Sequence, residues 1–452
     1  MGFISNLSND FIKLDPRIKI IKPLHSVAGT LLASVLPEVR ICTRYGINPL
    51  TLATMNVNTG YSGEIKTGFM KPCFKISKKL GNNLPANFTS QSIEEYFAEK
   101  DDKGNYTHNN WGYMSIDEVA KQIKQSNNMS SAYTGMFEQF SRLWDGSLDE
   151  TYLVSSGLRS PRDPYVCLST ATIPQFIVQL NDMFFQQGLC GRFDWSLCGF
   201  DFKKDKGLGI SINKEQAVVL KRDKLIEKYK NILKAIRIQV EHYTNNGPKN
   251  IFILPDKEVD KPFLEFKHKV MEEYQYGRIT EPLGYRWCYK IRLPEIVIKI
   301  AGQVTISRII DNICSKGFTG DISMIRDDMV KAIKHVNESI DTLEYIMDLR
   351  DGLKIASVPF KNVGNKHHYM QLVYVLYDEP NYSCNSGLLA KKAKMSPAPF
   401  ARELQNGIDK GFLKEVARDK IIDNEERIRL GLNTSAGKAI ELTEETIKKL
   451  RK

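Results

Sequence analysis

Apolar residues recur with one period, then another, along this chain. Between residues 23 and 39 they fall at helical spacing. Asn48-Pro49 then breaks the chain before 50–57, which predicts a strand running into Thr59-Gly60-Tyr61-Ser62-Gly63. Residues 69–80 predict a helix. Residues 81–110 are polar and Asn-rich and read as a loop or insertion around 92–100, and 113–116 form a short strand ending on Asp117-Glu118. A helix is expected over 119–144 with a polar interruption at 125–130, and two strands over 151–155 and 165–170 around a turn at 157–164. Strands alternating with helices imply an α/β layer fold.

Further along, 214–243 predicts a long charged helix, and 293–315 and 322–349 predict two more. The character changes again near 365–380, where a helix over 370–377 gives way to a turn rich in Pro, Asn, Ser and Gly. The expected organisation is a helical segment at 1–48, an α/β core at 49–310, a helical region at 311–375 and a last domain at 376–452.

Composition narrows the class without naming a partner. A chain of 452 residues with 42% apolar and 26% charged residues folds as a globular protein of two or three domains, not a fibrous or disordered one. The net charge of +11 and a pI near 9.0 favour polyanionic partners, although lysine-rich surfaces are also simply solvated. The eight cysteines contain no C-x-x-C pair, and Cys190 and Cys198 lack histidines at zinc spacing, so free thiols in a reducing compartment are expected. His367 and His368 would point to opposite faces of a strand, so no structural metal is expected. No apolar run approaches the ~20 residues that span a bilayer, and residues 24–36 read as core-packing. A soluble, cytoplasmic protein without a membrane partner is the expectation.

Gly60-Tyr61-Ser62-Gly63-Glu64-Ile65-Lys66-Thr67 follows a strand and opens a helix, the context of a Walker A loop. Gly60, Ser62 and Gly63 would let backbone N–H groups curl around phosphates, Lys66 would reach the β and γ phosphates, and Thr67 would offer its hydroxyl to Mg²⁺. Ile65 departs from the pattern where a second glycine precedes the lysine, and its branched side chain restricts the loop. Tyr113-Met114-Ser115-Ile116-Asp117-Glu118 fits a Walker B strand: Asp117 would sit in the Mg²⁺ shell and Glu118 would deprotonate the attacking water.

With these two motifs in order, the chain resembles the AAA+ ATPases found beside primase domains in plasmid, phage and viral replication proteins, relatives of superfamily 3 and minichromosome maintenance helicases. The resemblance covers roughly residues 23–308. It rests also on FSRLWDG (140–146), GLCGRFD (188–194) and RLPEIVIK (292–299). It implies that Arg192 is an arginine finger reaching a neighbour's ATP site, that Arg292 is a second sensor, and that Thr170, within LSTAT (168–172), is the first sensor. It further implies a hairpin near the turn at 157–163, with Arg159 and Arg162 on DNA backbone phosphates.

Residues 383–443 resemble a winged helix. Helices over 386–394 and from Pro397 to 410 are followed by 412–416 and 438–442, which could pair as the wing. Lys391, Lys392 and Arg402 would then face DNA, although winged helices also serve as protein contacts. The expected fold is thus α/β, a P-loop AAA+ ATPase core with an additional helical region and a C-terminal winged-helix-like domain. The expected activity is that of an ATP- and Mg-dependent, ring-forming DNA helicase or translocase of a plasmid or virus, assembled as a homo-oligomer, six-membered by family, with a primase or initiator in trans. One rival is a scaffold or initiator that keeps the ATPase fold but no longer hydrolyses, because of Ile65. The other is a basic DNA-binding regulator with a chance phosphate loop.

Overall fold

Two helices, α1 (Phe3–Leu14) and α2 (Lys22–Ala33), precede the first strands, β1 (Val39–Ile41), β2 (Leu50–Thr51) and β3 (Met55–Thr59). The structure is a computed structural model and describes residues 2–450 apart from 16–17, 19, 44–48, 61–67, 87, 120–135, 149–150, 154–156, 160, 178–179, 181–183, 186–188, 200–211, 282–283, 358–368, 378, 394, 396 and 418–437. Helix α2 has Pro23 in its first turn, where a missing N–H costs nothing, and it is buried along almost its whole length. It ends at Ala33, earlier than the apolar spacing predicts, because residues 34–38 turn and Val39, the pattern's last member, opens β1. Helix α3 (Met70–Leu80) stops at Gly81, whose φ of 74° forms a left-handed C-cap that a residue with Cβ adopts only with strain.

Within the stretch that reads as a loop, the chain forms α4 (Ser90–Ala98). Thr89 and Ser92 make a capping box there, each side chain accepting from the other's backbone N–H. Then come β4 (Trp111–Ile116), helix α5 (Met136–Asp145), the antiparallel pair β5 (Thr151–Leu153) and β6 (Gly157–Arg159), β7 (Tyr165–Thr172) and β8 (Phe193–Leu197). The expected turn at 157–164 is therefore partly a strand: Arg159 pairs with Thr151 and Gly157 with Leu153.

Strands β3, β4, β7 and β8 form one parallel sheet in the order β4-β7-β3-β8. A parallel sheet covered on both faces usually reads as a near-continuous apolar run. Here β3 and β7 instead bury Asn56, Asn58, Thr59, Ser169, Thr170 and Thr172. Hydrogen bonds repay most of that desolvation. Asn56 Nδ2 donates to Thr30 Oγ1 at 2.8 Å and to Ser169 Oγ at 2.9 Å, and Asn58 Nδ2 donates to Asn56 Oδ1 at 2.9 Å and to the Thr170 carbonyl at 3.1 Å.

The long helix α6 (Ile212–Asn245), strand β9 (Ile251–Pro255), helices α7 (Asp260–Thr280) and α8 (Leu293–Lys316), strand β10 (Ile322–Met324) and helix α9 (Arg326–Ser357) follow. The expected helix over 322–349 begins instead with a strand, since Ile322, Ser323 and Met324 pair in parallel with β9. A second sheet in the order β10-β9-β1-β2 results, with β2 antiparallel to β1. Residues 1–347 form one compact unit, which takes in α1 to α8 and α9 as far as Met347.

Residues 348–452 form the second unit. Its elements are α10 (Tyr369–Tyr377), β11 (Ser383–Asn385), α11 (Ser386–Lys392), α12 (Pro397–Asp409), β12 (Leu413–Ala417), β13 (Lys438–Leu442) and α13 (Glu444–Leu450). Asn385 caps α11, and β12 and β13 pair antiparallel as expected, with β11 on the other side of β13. Leu372, Leu376, Leu389, Phe400, Leu404 and Ile440 make its apolar core.

Candidate functional site

All four strands of the first sheet end on one edge, and in open α/β sheets ligands bind outside the carboxyl ends of the strands. β3 delivers Thr59 and Gly60 to that edge, β4 delivers Asp117 and Glu118, and β7, lying between them, delivers Thr172. The Thr172 hydroxyl donates to Glu118 Oε1, and its carbonyl accepts from Gly60 N at 3.3 Å. Three separate segments thus meet at one point. Asp117 is exposed and Glu118 half-buried. Asn58 Oδ1 and Thr59 Oγ1, both fully buried at the same strand end, have no hydrogen-bond partner.

Of the sequence-derived loop, Gly60 is described, whereas Ser62, Gly63, Lys66 and Thr67 lie outside the described residues. Thr170 sits inside the sheet opposite Val57, fully buried, its hydroxyl directed to the Ala171 carbonyl at 3.5 Å. The polar group at the edge is Thr172, two residues on, on the same face of the pleat.

Arg192 lies at the opposite edge. It ends a 3-10 turn (Cys190–Arg192) directly before β8, so the length of that strand, about 16 Å at ~3.3 Å per residue, separates it from the carboxyl edge. Its Nη2 meets Asp145 Oδ2 at 3.2 Å, with the arginine side chain 8% exposed and the aspartate 44%. Its Nε has no partner. Asp145 ends α5; beside it Lys299 Nζ stands 3.8 Å over the ring of Trp144 and 3.2 Å from Glu295, which lies 3.7 Å from Arg292. Burial holds the Lys299 ammonium below its usual pKa against the pull of Glu295 and Asp145. The turn that carries Arg192 packs on a second 3-10 turn (Cys288–Arg292): a Cβ on Gly191 would meet the Tyr289 carbonyl oxygen at 2.6 Å. The segments FSRLWDG, GLCGRFD and RLPEIVIK therefore converge, and Arg292 belongs to the Arg192 cluster.

Neither the family models nor the curated proteins compared with this chain contain a significant match to it.

The remaining expected contacts are varied. Arg162 donates to the His108 carbonyl and its guanidinium lies 4.3 Å over the Tyr106 ring, which fastens the segment before β7 to the loop at 99–108. The Arg159 side chain lies outside the described residues. Lys391 is exposed, Lys392 pairs with Glu379, and Arg402, 57% exposed, reaches the buried Glu403 at 3.1 Å. Among the described residues no group of three or more His, Cys, Asp or Glu could hold a metal, and no helix is long and apolar enough to cross a membrane.

One charged cluster escaped the sequence reading. Asp194 accepts from Lys22 Nζ at 2.8 Å and Ser26 Oγ at 2.6 Å, and its Oδ2 lies 2.7 Å from His335 Nε2. Burial alone would raise the Asp194 pKa, yet His335 and Lys22 hold the carboxyl far below its usual range. Burial pulls Lys22 down despite Asp194, and it takes His25 down to about 4, helped by the charges of His335 and Lys22. The only signal in the sequence is a lysine opening a helix that carries no other Lys, Arg, Asp or Glu.

Proposed function

We propose that this chain is an ATP-driven, ring-forming helicase or translocase on DNA, of the AAA+ kind, with ATP sites shared between neighbouring subunits. The strand order carries this reading. Gly60 and the phosphate-loop sequence 60–67 follow β3, the carboxylates 117–118 follow β4, and the strand between them ends in a hydroxyl bonded to Glu118. A phosphate loop, a metal-holding carboxylate, a base and a group that orients the base need that proximity.

In this reading the backbone at Gly60, Ser62 and Gly63, with Lys66, cradles the phosphates, while Thr67 and Asp117 hold Mg²⁺. Bound MgATP supplies the transferable phosphoryl group and the free energy of its hydrolysis. Glu118 accepts the proton of the attacking water, and Thr172, more than Thr170, keeps its carboxylate aimed. Arg192, and with it Arg292, serves the site of the next subunit, since both stand at the far edge from Glu118. The β5–β6 hairpin and the second unit bind DNA. Two helices and a three-stranded antiparallel sheet in the order β11-β13-β12 support a winged helix, with exposed Arg402 and Gln405 three residues apart on α12.

Phosphate release from ATP, measured with and without single-stranded DNA, tests the proposal. DNA-stimulated release that disappears in Lys66→Ala is expected; release unaffected by that substitution refutes the site. Ile65 supports a second reading, a non-hydrolysing scaffold or initiator, in which wild-type protein releases no phosphate and Ile65→Gly acquires the activity.

A further inference from the structure

An arginine that completes a neighbour's site must be able to leave its own subunit, and Arg192 is held in. Its guanidinium is more than nine-tenths buried, its one ion pair is to the half-exposed Asp145, and its Nε has no partner among the described residues. A guanidinium with one ion pair and one unanswered N–H is poorly satisfied where it lies, so an acceptor that offers more oxygens can draw it away. Asp145 is also tethered. It is followed by Gly146, in the left-handed region at φ 70°, and five residues later the chain enters β5 of the hairpin.

We propose that Asp145 is an autoinhibitory latch on Arg192, released when DNA displaces the β5–β6 hairpin and pulls the end of α5 away. The inference rests on the ATPase reading above and adds a regulation to it. In the latched state the arginine is neutralised within its own subunit and contributes nothing across an interface. When the hairpin moves, the carboxylate departs, and the guanidinium exchanges one oxygen for the phosphate oxygens of the adjoining site. Lys299, fixed over Trp144 and paired with Glu295, stays behind and keeps the end of α5 from losing Asp145 spontaneously through its charge. Hydrolysis is thereby tied to DNA.

Two readouts separate the latch from the reading beneath it. The rate at which an arginine-selective dicarbonyl modifies Arg192, followed by peptide mass in DNA-free and nucleotide-free protein, requires no enzymatic activity. Phosphate release with and without single-stranded DNA reports function. In Asp145→Asn, modification is expected to accelerate about tenfold, the worth of a lost charge-assisted hydrogen bond, and DNA-free release to rise towards the DNA-stimulated rate. Asp145→Glu, which retains a carboxylate, should stay slow in both, and Asp145→Ser repeats the test should the asparagine protein fail to fold. An unchanged modification rate in a folded variant overturns the latch whatever the hydrolysis. Faster modification with hydrolysis lowered equally in the presence and absence of DNA also overturns it, because Asp145 then positions Arg192 for use. Faster modification with no hydrolysis in any protein, wild type included, overturns the ATPase reading and the regulation with it.

Discussion

Asp194 accepts from the buried Lys22 and Ser26 and touches His335, so removing its charge leaves the Lys22 ammonium with only the neutral Trp195 carbonyl and Ser196 hydroxyl as hydrogen-bond partners. Asp194→Asn should destabilise the first unit by about 3–5 kcal/mol in denaturant titration. A loss under ~1 kcal/mol would mean that water reaches Lys22. The same carboxyl sets an acid limit. Its folded pKa lies below the unfolded value, so its contribution is complete above about pH 4 and is lost as pH falls below that. His25 acts in a second window. Held at about 4 in the fold against 6.5 when free, it binds its proton more readily in the unfolded chain, so stability declines as pH drops from 6.5 towards 4. Thermal midpoints across that range should fall less steeply in His25→Gln; equal slopes would mean that His25 titrates alike in both states. At the other edge, Thr172→Val removes the hydroxyl that meets Glu118 and should lower phosphate release while ATP affinity is retained, whereas Thr170→Val should leave release much closer to wild type. The opposite ranking would return the sensor to Thr170.

Helix α4 rests on its capping box, and Thr89→Ala should cost about 1 kcal/mol, read as a shift in the urea midpoint without a change of slope. An unchanged midpoint would mean that tertiary packing alone holds this turn. The same helix shows where the sequence stopped being legible. Its Asn-rich surroundings resemble a loop, and the decisive feature is a reciprocal bond between two small side chains. Long periodic elements such as α6 and α8 are readable within a few residues, as are β4 and the pairing of β12 with β13, whereas the single strand expected over 50–57 divides between β2 in one sheet and β3 in the other. Three-residue strands such as β1 and β10 have too few positions for a period of two to stand out, and β10 was absorbed into the helix that follows. Within the site, Asp117 and Glu118 announce themselves as carboxylates after an apolar run. Thr172 does not, because LSTAT has hydroxyls at 169, 170 and 172, and only the register with Thr59 and Ile116 decides which reaches the edge. The clasp of Lys22 on Asp194 spans 172 residues, a separation no local pattern registers.

If Glu118 and Arg192 serve one reaction, each subunit holds two half-sites on opposite edges of a sheet. Glu118 stands at the carboxyl edge and Arg192 at the amino edge, so a single copy cannot bring them together. Subunits must then associate head to tail, and a rotation that closes makes a ring. Arg192→Ala should leave ATP binding through Lys66 intact and lower hydrolysis by a factor of the order of 10³. Glu118→Gln should also bind and not hydrolyse. The most direct measurement is phosphate release from mixtures of these two proteins at constant total concentration, with single-stranded DNA present. Neither variant alone is active, but a mixed assembly contains interfaces with a sound arginine facing a sound base, so release should rise on mixing and peak near equal proportions. Mixtures that assemble and remain as silent as their components would contradict the shared site, and with it the ring.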